Sequence, residues 1–153
     1  MQRLLRAVLY VWAAPASAVG LIVTLALLAC GASIAVVDGV VEVAGGTRVA
    51  RWLGRHPRLA GFKAITLGHV VIARDGWSLE STRAHERVHV RQCEAWGPFF
   101  VPAYLAASLS AFLRGRNFYF DNRFEVEAFH AARIQAVSEE QSHEAGVRYP
   151  LRK

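Results

Sequence analysis

The sequence predicts an α+β protein with an N-terminal transmembrane helix and a small antiparallel sheet of about three strands packed on helices. Three observations lead to this fold class: a long charge-free N-terminal run, β-branched stretches followed by Asp-Gly pairs, and helix-like segments in the second half of the chain. The 153 residues are enough for one domain with a modest core. We divide the chain into a membrane anchor at 1–31, a main domain at 32–138 and a polar tail at 139–153.

The N-terminal run carries no charged residue from position 7 to position 37. Because about 20 apolar residues are enough to cross a bilayer, the run predicts a retained transmembrane helix in a single-pass membrane protein. Two alternatives stay open. The run can be a cleaved signal peptide, or a lipoprotein signal in which Cys30, after Leu27-Leu28-Ala29, receives the lipid.

The net charge is +6, and a cluster of basic residues follows the anchor. Arg48, Arg51, Arg55 and Arg58 are spaced 3, 4 and 3 apart, so a short helix at 47–56 would place them on one side. Such a helix either lies on an anionic membrane surface or presents an ordinary solvated face. No basic-aromatic module typical of nucleic-acid binding is visible, so nucleic acid is not an expected partner. Basic residues flank both ends of the anchor and leave its orientation undecided.

The strands are predicted from β-branched residues and turn signals. Asp38-Gly39 lies between two such stretches and predicts a hairpin with strands at 33–37 and 40–43. A third strand is expected at 64–73. The remaining segments predict helices, and their ranges are 79–95, 98–113 and 123–138.

The motif His85-Glu86-Arg87-Val88-His89 lies on the first of these helices. Residues four apart stack on one side of a helix, so both imidazoles can bind one Zn²⁺ ion. Glu86 projects beside them and can take a proton from a water at the metal. The alternative is that His85 and His89 are ordinary helix residues.

A third ligand must come from elsewhere, and Glu125 in the segment Glu125-Val126-Glu127-Ala128 is the candidate. A helix that returns after an intervening helix can bring one carboxylate to the metal. Glu127 diverges from Glu125 because residues two apart face different sides of a helix. A simpler explanation of Glu125 is a capping box with Asn122, three residues earlier.

The combination of helix-borne HExxH with ExxA on a later helix resembles the gluzincin metallopeptidases. Among these zinc hydrolases the integral-membrane branch is most similar, the CAAX prenyl protease and HtpX heat-shock protease class, together with short bacterial membrane proteins that carry HExxH. The resemblance implies zincin-like helices, His85, His89 and Glu125 as zinc ligands, and Glu86 as the general base. It also implies a peptide or membrane-protein substrate and a bacterial inner-membrane location. Phe129 stands where the family usually has aspartate.

The second apolar segment, 98–113, restricts the topology. A helix crossing the bilayer there would carry the chain about 24 Å and leave Glu125 on the opposite side from His85. We therefore expect a core or interfacial helix, with the site close to the bilayer surface. A di-iron bundle is a rival, because Glu86-x-x-His89 and Glu127-x-x-His130 share its ligand spacing, yet two further glutamates are lacking. A non-catalytic membrane adaptor with an accidental motif is the other alternative.

Other polar and aromatic side chains have simpler expected roles. His69 is expected in a strand as a packed or edge residue. Tyr104 and Tyr119 are expected to pack, although either hydroxyl can polarise a carbonyl. A solvated stripe is predicted from three arginines four residues apart, at positions 83, 87 and 91.

Overall fold

The structure is a computed structural model that describes residues 2–56 and 61–144. It is an α+β fold with a four-stranded sheet, and a 3₁₀ turn at Gly97–Phe99 separates its third and fourth helices. The elements in chain order are α1 (Gln2–Ala29), β1 (Ser33–Val37), β2 (Val40–Ala44), α2 (Thr47–Gly54), β3 (Ala64–Leu67), β4 (Val70–Ala73), α3 (Gly76–Trp96), α4 (Phe100–Leu113) and α5 (Arg123–Glu144).

The sheet has the strand order β1-β2-β4-β3. Neighbours along the chain pair antiparallel, as β1 with β2 and β3 with β4, whereas β2 and β4 pair in parallel. The prediction of about three antiparallel strands is therefore wrong: the sheet has four strands and is mixed. The parallel pair arises because α2 carries the chain across between the two hairpins.

The extra strand comes from a turn inside the predicted strand 64–73. Gly68 has φ +64°, a left-handed conformation that glycine adopts at little steric cost, and the chain reverses at Gly68-His69. His69 therefore lies in a turn and not in a strand. The first hairpin is as predicted, with Asp38 and Gly39 both at positive φ in a two-residue turn.

The helix α1 covers one face of the sheet. Its packed side chains recur at helical spacing: Ala13 and Thr24 are buried, and Leu27 contacts a core of Val43, Val70 and Ile72. The remaining circumference of α1 is mostly exposed and apolar. The segment predicted as a membrane anchor thus also forms a structural layer of the domain.

The helix α3 covers the opposite face of the sheet. Its N-cap is Asp75, whose carboxylate accepts a hydrogen bond of 2.7 Å from the Ser78 backbone N–H. Val90 packs on Val40 and Val71 of the sheet, with Leu79 beside them. The sheet therefore lies between α1 and α3, and α4 and α5 pack on the side of α3 that carries the histidines.

The helix boundaries differ modestly from those predicted. The motif helix begins at Gly76 and the last helix continues to Glu144, so the start of the expected polar tail is helical. Arg58 and the end of that tail, 145–153, lie outside the described residues. Leu53 of α2 is buried, whereas Arg48 and Arg51 of α2 and Arg55 at its C-cap are exposed.

Two stretches are long and apolar enough to cross a membrane by length and composition. One is Leu4–Ala29 in α1, and the other is the composite Gly76–Leu113. Signal sequences and the core helices of soluble proteins share this length and apolar composition.

Candidate metal centre

Three side chains predicted from the sequence lie together between α3 and α5. The Nε2 atoms of His85 and His89 are 3.1 Å apart. Nε2 of His85 lies 3.2 Å from Oε2 of Glu125, and Nε2 of His89 lies 3.4 Å from Oε1. All three residues are buried, and one ligand atom from each falls within 4.8 Å of the others, so the group could hold a metal ion.

The donor set fits a zinc ion in chemistry and in spacing. Two imidazole nitrogens and one carboxylate are the protein ligands of many catalytic zinc sites, which keep the fourth position open. In a tetrahedron with bonds of about 2.1 Å, the ligand atoms are about 3.4 Å apart, and the three observed separations are close to this value. With both Nε2 atoms unprotonated, their lone pairs and the Glu125 carboxylate would converge on a space of the right size.

The start of α5 explains how Glu125 reaches the histidines. The Asn122 side chain accepts a hydrogen bond of 3.0 Å from the Phe124 backbone N–H and donates to Ser108 and to the Tyr104 carbonyl on α4. Asn122 is completely buried, so it fixes α5 against α4. It caps the helix as the simpler explanation expected, yet the Glu125 carboxylate points to the histidines and not back to the cap, so capping alone does not account for it.

A chain of hydrogen bonds orients His89. Its Nδ1 lies 2.8 Å from Oε1 of Gln92, while Nε2 of Gln92 donates to the Phe124 carbonyl and to Oε2 of Glu127, at 3.1 and 2.9 Å. Because the Gln92 amide nitrogen is used by these two acceptors, its oxygen faces His89 and requires a proton on Nδ1. Nε2 of His89 is then the free, metal-binding nitrogen.

His85 is held differently. The Phe129 ring lies 4.6 Å from the His85 ring, at the position where the resembling family usually has aspartate. Within the described chain, Nδ1 of His85 is buried and has no hydrogen-bond partner. The contact with the Phe129 ring therefore holds this imidazole by aromatic packing.

Glu86 is buried beside the candidate ligand group, and a side chain of the sheet binds its carboxylate. The Thr66 hydroxyl on β3 donates a hydrogen bond of 2.7 Å to Oε2 of Glu86. Burial raises the pKa of Glu86, although the Thr66 hydrogen bond and the nearby imidazoles act in the opposite direction. A carboxylate with a raised pKa is a better proton acceptor than an ordinary glutamate.

The environment keeps Glu125 ionised. Burial alone would raise its pKa, but when the imidazoles are protonated and no metal is bound, they and the Tyr104 hydroxyl donate to the carboxylate, outweigh burial and lower the pKa below its usual range. The hydroxyl of Tyr104 is 2.6 Å from Oε1. Tyr104 therefore positions the Glu125 carboxylate, which goes beyond the packing role expected for it.

The other candidate residues lie apart from this group. Glu127 binds Gln92, and neither Glu127 nor His130 is among the converging ligand atoms, so the di-iron spacing is not assembled in the described chain. His69 is buried and stacks on Tyr10 at 4.0 Å, with Nε2 3.1 Å from Glu94. It is packed, as expected, although in a turn.

The predicted solvated arginine stripe is wrong for two of its three members. Arg83 and Arg87 form ion pairs at 3.2 and 2.7 Å with Glu42, a buried carboxylate on β2. Only Arg91 is exposed as predicted. These pairs fix α3, and with it both histidines, to the sheet.

Comparison with known proteins adds no relative: no protein-family model, no curated protein and no solved structure matches this chain. The fold and site define an α+β protein with a candidate His-His-Glu metal centre. The gluzincin resemblance stays a prediction.

Proposed function

We propose that this protein is a membrane-anchored, zinc-dependent metallopeptidase. The observation that carries the proposal is the convergence of His85, His89 and Glu125, with Glu86 buried next to them. Two imidazoles and a carboxylate are typical of catalytic zinc, and a glutamate directly after the first histidine suits hydrolysis better than a purely structural metal site. The resemblance to gluzincins agrees with this chemistry.

Each residue has a definite task in this proposal. Bound zinc supplies a Lewis acid that polarises a carbonyl and acidifies water. Glu86 accepts the proton of the attacking water through the carboxylate that Thr66 orients. Gln92 and Phe129 hold the two imidazoles, and Tyr104 holds Glu125. Protonated Glu86 then donates to the leaving amine.

The sheet supports a peptide as the substrate. β3 is an edge strand, since it pairs on one side with β4 in the order of the described sheet. It carries Thr66, which binds Glu86, so an extended peptide added along β3 would pass close to the general base. Strand addition of this kind supplies main-chain hydrogen bonds without requiring a particular sequence.

The membrane part of the proposal rests on α1. Its outer circumference is apolar from Val8 to Leu28, which is the surface expected of a helix in contact with lipid. We propose that this helix holds the protein at a membrane, the bacterial inner membrane being the expected one.

Hydrolysis of quenched fluorescent peptides by zinc-loaded protein in detergent micelles tests the proposal. Glu86→Gln should lower kcat by about 10² to 10⁴ fold while the zinc content stays that of the wild type, because it removes the base and no ligand. The matched control is Glu80→Gln, an exposed glutamate on the same helix, which should cleave at the wild-type rate. Equal rates in Glu86→Gln and wild type, or no cleavage by wild type of any peptide in the set, would favour the adaptor.

A further inference from the structure

The outer side of α1 is an unusually large exposed apolar surface. Leu4, Val11, Ile22 and Leu25 are each about two-thirds or more exposed, at 71%, 75%, 67% and 69%. Apolar patches of this extent on soluble monomers mark an interaction surface. Charged residues are absent from 7–37, so the surface suits hydrocarbon better than a polar partner.

The inner side of α1 determines how the helix can meet a bilayer. Its residues from Ala13 to Leu27 contact the rest of the domain, including both strands of the second hairpin. If α1 crossed the bilayer upright with this packing kept, the sheet would lie at the depth of the hydrocarbon. The edge strands β1 and β3 would then expose unpaired backbone groups to lipid, which bilayers do not tolerate.

A second apolar surface continues from the first. In α4 the small or aromatic side chains face the protein, whereas Val101, Leu105, Leu109 and Phe112 form an exposed stripe on the other side. A helix that is apolar on all sides requires apolar surroundings on all sides. Trp12 of α1 joins the two surfaces, because its ring lies 6.2 Å from that of Phe99 at the start of α4.

Charge at the two ends of α1 favours one membrane surface over two. Arg6 is exposed near the N-terminal end. The exposed arginines of α2 lie near the C-terminal end, since Gly46, which precedes α2, is in close contact with Gly31. A spanning helix would place these basic groups on opposite sides of the membrane, while a helix in the plane of one leaflet brings both to the same anionic headgroups.

We propose that the protein is monotopic: α1 and α4 lie in the plane of one leaflet, with the sheet and the metal-ligand group on the water side. The occupant of both apolar surfaces is the hydrocarbon of that leaflet, and anionic headgroups bind the basic residues at the ends of α1. The inference rests on the membrane part of the proposed function and is independent of the metal chemistry.

Depth measurement on nitroxide labels in full-length protein, reconstituted into vesicles of phosphatidylcholine and phosphatidylglycerol, tests the inference. The background is Cys30→Ser, because Cys30 is exposed and Cys93 is buried. Single cysteines replace Leu4, Val11 and Ile22 on α1 and Leu105 and Leu109 on α4. Glu80→Cys is the water-side control, because Glu80 lies on α3, on the opposite face of the sheet from α1, and its side chain is 73% exposed. Accessibility to oxygen and to a nickel chelate gives the depth of each label.

The expected result is that the five labels on α1 and α4 lie at similar shallow depths and the Glu80 label is in water. Leu4 and Ile22 are 18 positions apart, about 27 Å along a helix, so a spanning α1 would place their labels at opposite interfaces with Val11 between them deep in the bilayer. That depth profile would overturn the inference. The inference would also be overturned if the labels on α4 were as accessible to the nickel chelate as the control label. Strong coupling between labels on two molecules would overturn it as well, because it would show that a second copy covers the apolar surface. Zinc binding is measured on the same variants. A variant that binds zinc but shows the spanning depth profile contradicts the monotopic arrangement and leaves the metal site unaffected.

Discussion

His89 is oriented by the side chain of a glutamine, Gln92, and substitution of Gln92 tests this positioning role. Gln92 accepts from the imidazole through Oε1 and donates to Glu127 through Nε2. Glu127 itself is exposed and is not among the converging ligand atoms, so it acts on His89 only through Gln92. Loss of such an outer partner typically costs 10 to 100 fold in metal affinity.

Gln92→Leu should therefore weaken zinc binding by about 10 to 100 fold, measured by competition with a chromophoric chelator. The double variant Gln92→Glu with Glu127→Gln exchanges the two roles: a carboxylate accepts from His89 and the new amide donates to it. Because the new carboxylate cannot donate to the Phe124 carbonyl, the double variant should recover part of the affinity that Gln92→Leu loses. If Gln92→Leu and the double variant are equally weak, or if neither differs from wild type, Gln92 does not position His89.

At the residue scale the sequence predicted which three side chains converge better than it predicted the residues that support them. The helical periodicity of HExxH brings His85 and His89 together, and the ExxA resemblance singled out Glu125. The support from Thr66 depends on how β3 packs on α3, which spacing along the chain does not reveal. Gln92 is different, because a residue three positions after His89 on a helix is a predictable neighbour.

Among the secondary structure elements, α3 is tied to the sheet by a buried carboxylate. Glu42 is 2% exposed and binds the partly exposed guanidinium groups of Arg83 and Arg87, which keeps them from repelling each other. Solvent reduces the strength of these pairs relative to a fully buried network. Even so, removal of the shared anion leaves two guanidinium groups close together without compensation.

Glu42→Gln should lower the free energy of unfolding by about 2 kcal/mol, measured from urea denaturation in micelles. The matched control is Arg91→Gln on the same stripe of α3, whose exposed side chain predicts a change within about 0.5 kcal/mol. Equal urea midpoints for the two variants would mean that all three arginines of the stripe are solvated, as the sequence alone predicted.

The elements themselves were predictable in kind and less so in number. The Asp38-Gly39 hairpin and every α-helix were anticipated, since turn chemistry and periodicity are local signals. The prediction of one continuous strand at 64–73 was wrong, because Gly68-His69 is a weak turn signal and β-branched residues surround it. The parallel pairing of β2 with β4 depends on where α2 returns the chain, and no local pattern contains that information.

At the scale of the whole molecule, α1 is both the apolar surface and one wall of the core. Gly20 permits this double role, because a Cβ at that position would lie 2.7 Å from the Val70 Cβ and 3.1 Å from that of Leu67. A membrane anchor joined only by a linker would have no such close contact with the sheet.

Gly20→Leu should push α1 away from β4 and lower the free energy of unfolding by about 1 to 3 kcal/mol, as for other overpacked cores. Ala18→Leu adds the same side chain on the exposed side of the helix, and its thermal midpoint should stay close to that of wild type. Circular dichroism of both variants in micelles makes the comparison. Identical midpoints would show that α1 is not packed on the sheet.

Zinc stoichiometry of purified protein tests the central claim, the convergence of three ligands on one cation, most directly. After loading and dialysis, wild type and the controls His130→Ala and Glu140→Gln should each retain one zinc per chain, whereas His85→Ala, His89→Ala and Glu125→Gln should each lose it. Retention of one zinc by all three ligand variants, or its absence from wild type, would contradict the site. Two irons per chain, lost in His130→Ala, would contradict it in favour of the di-metal alternative.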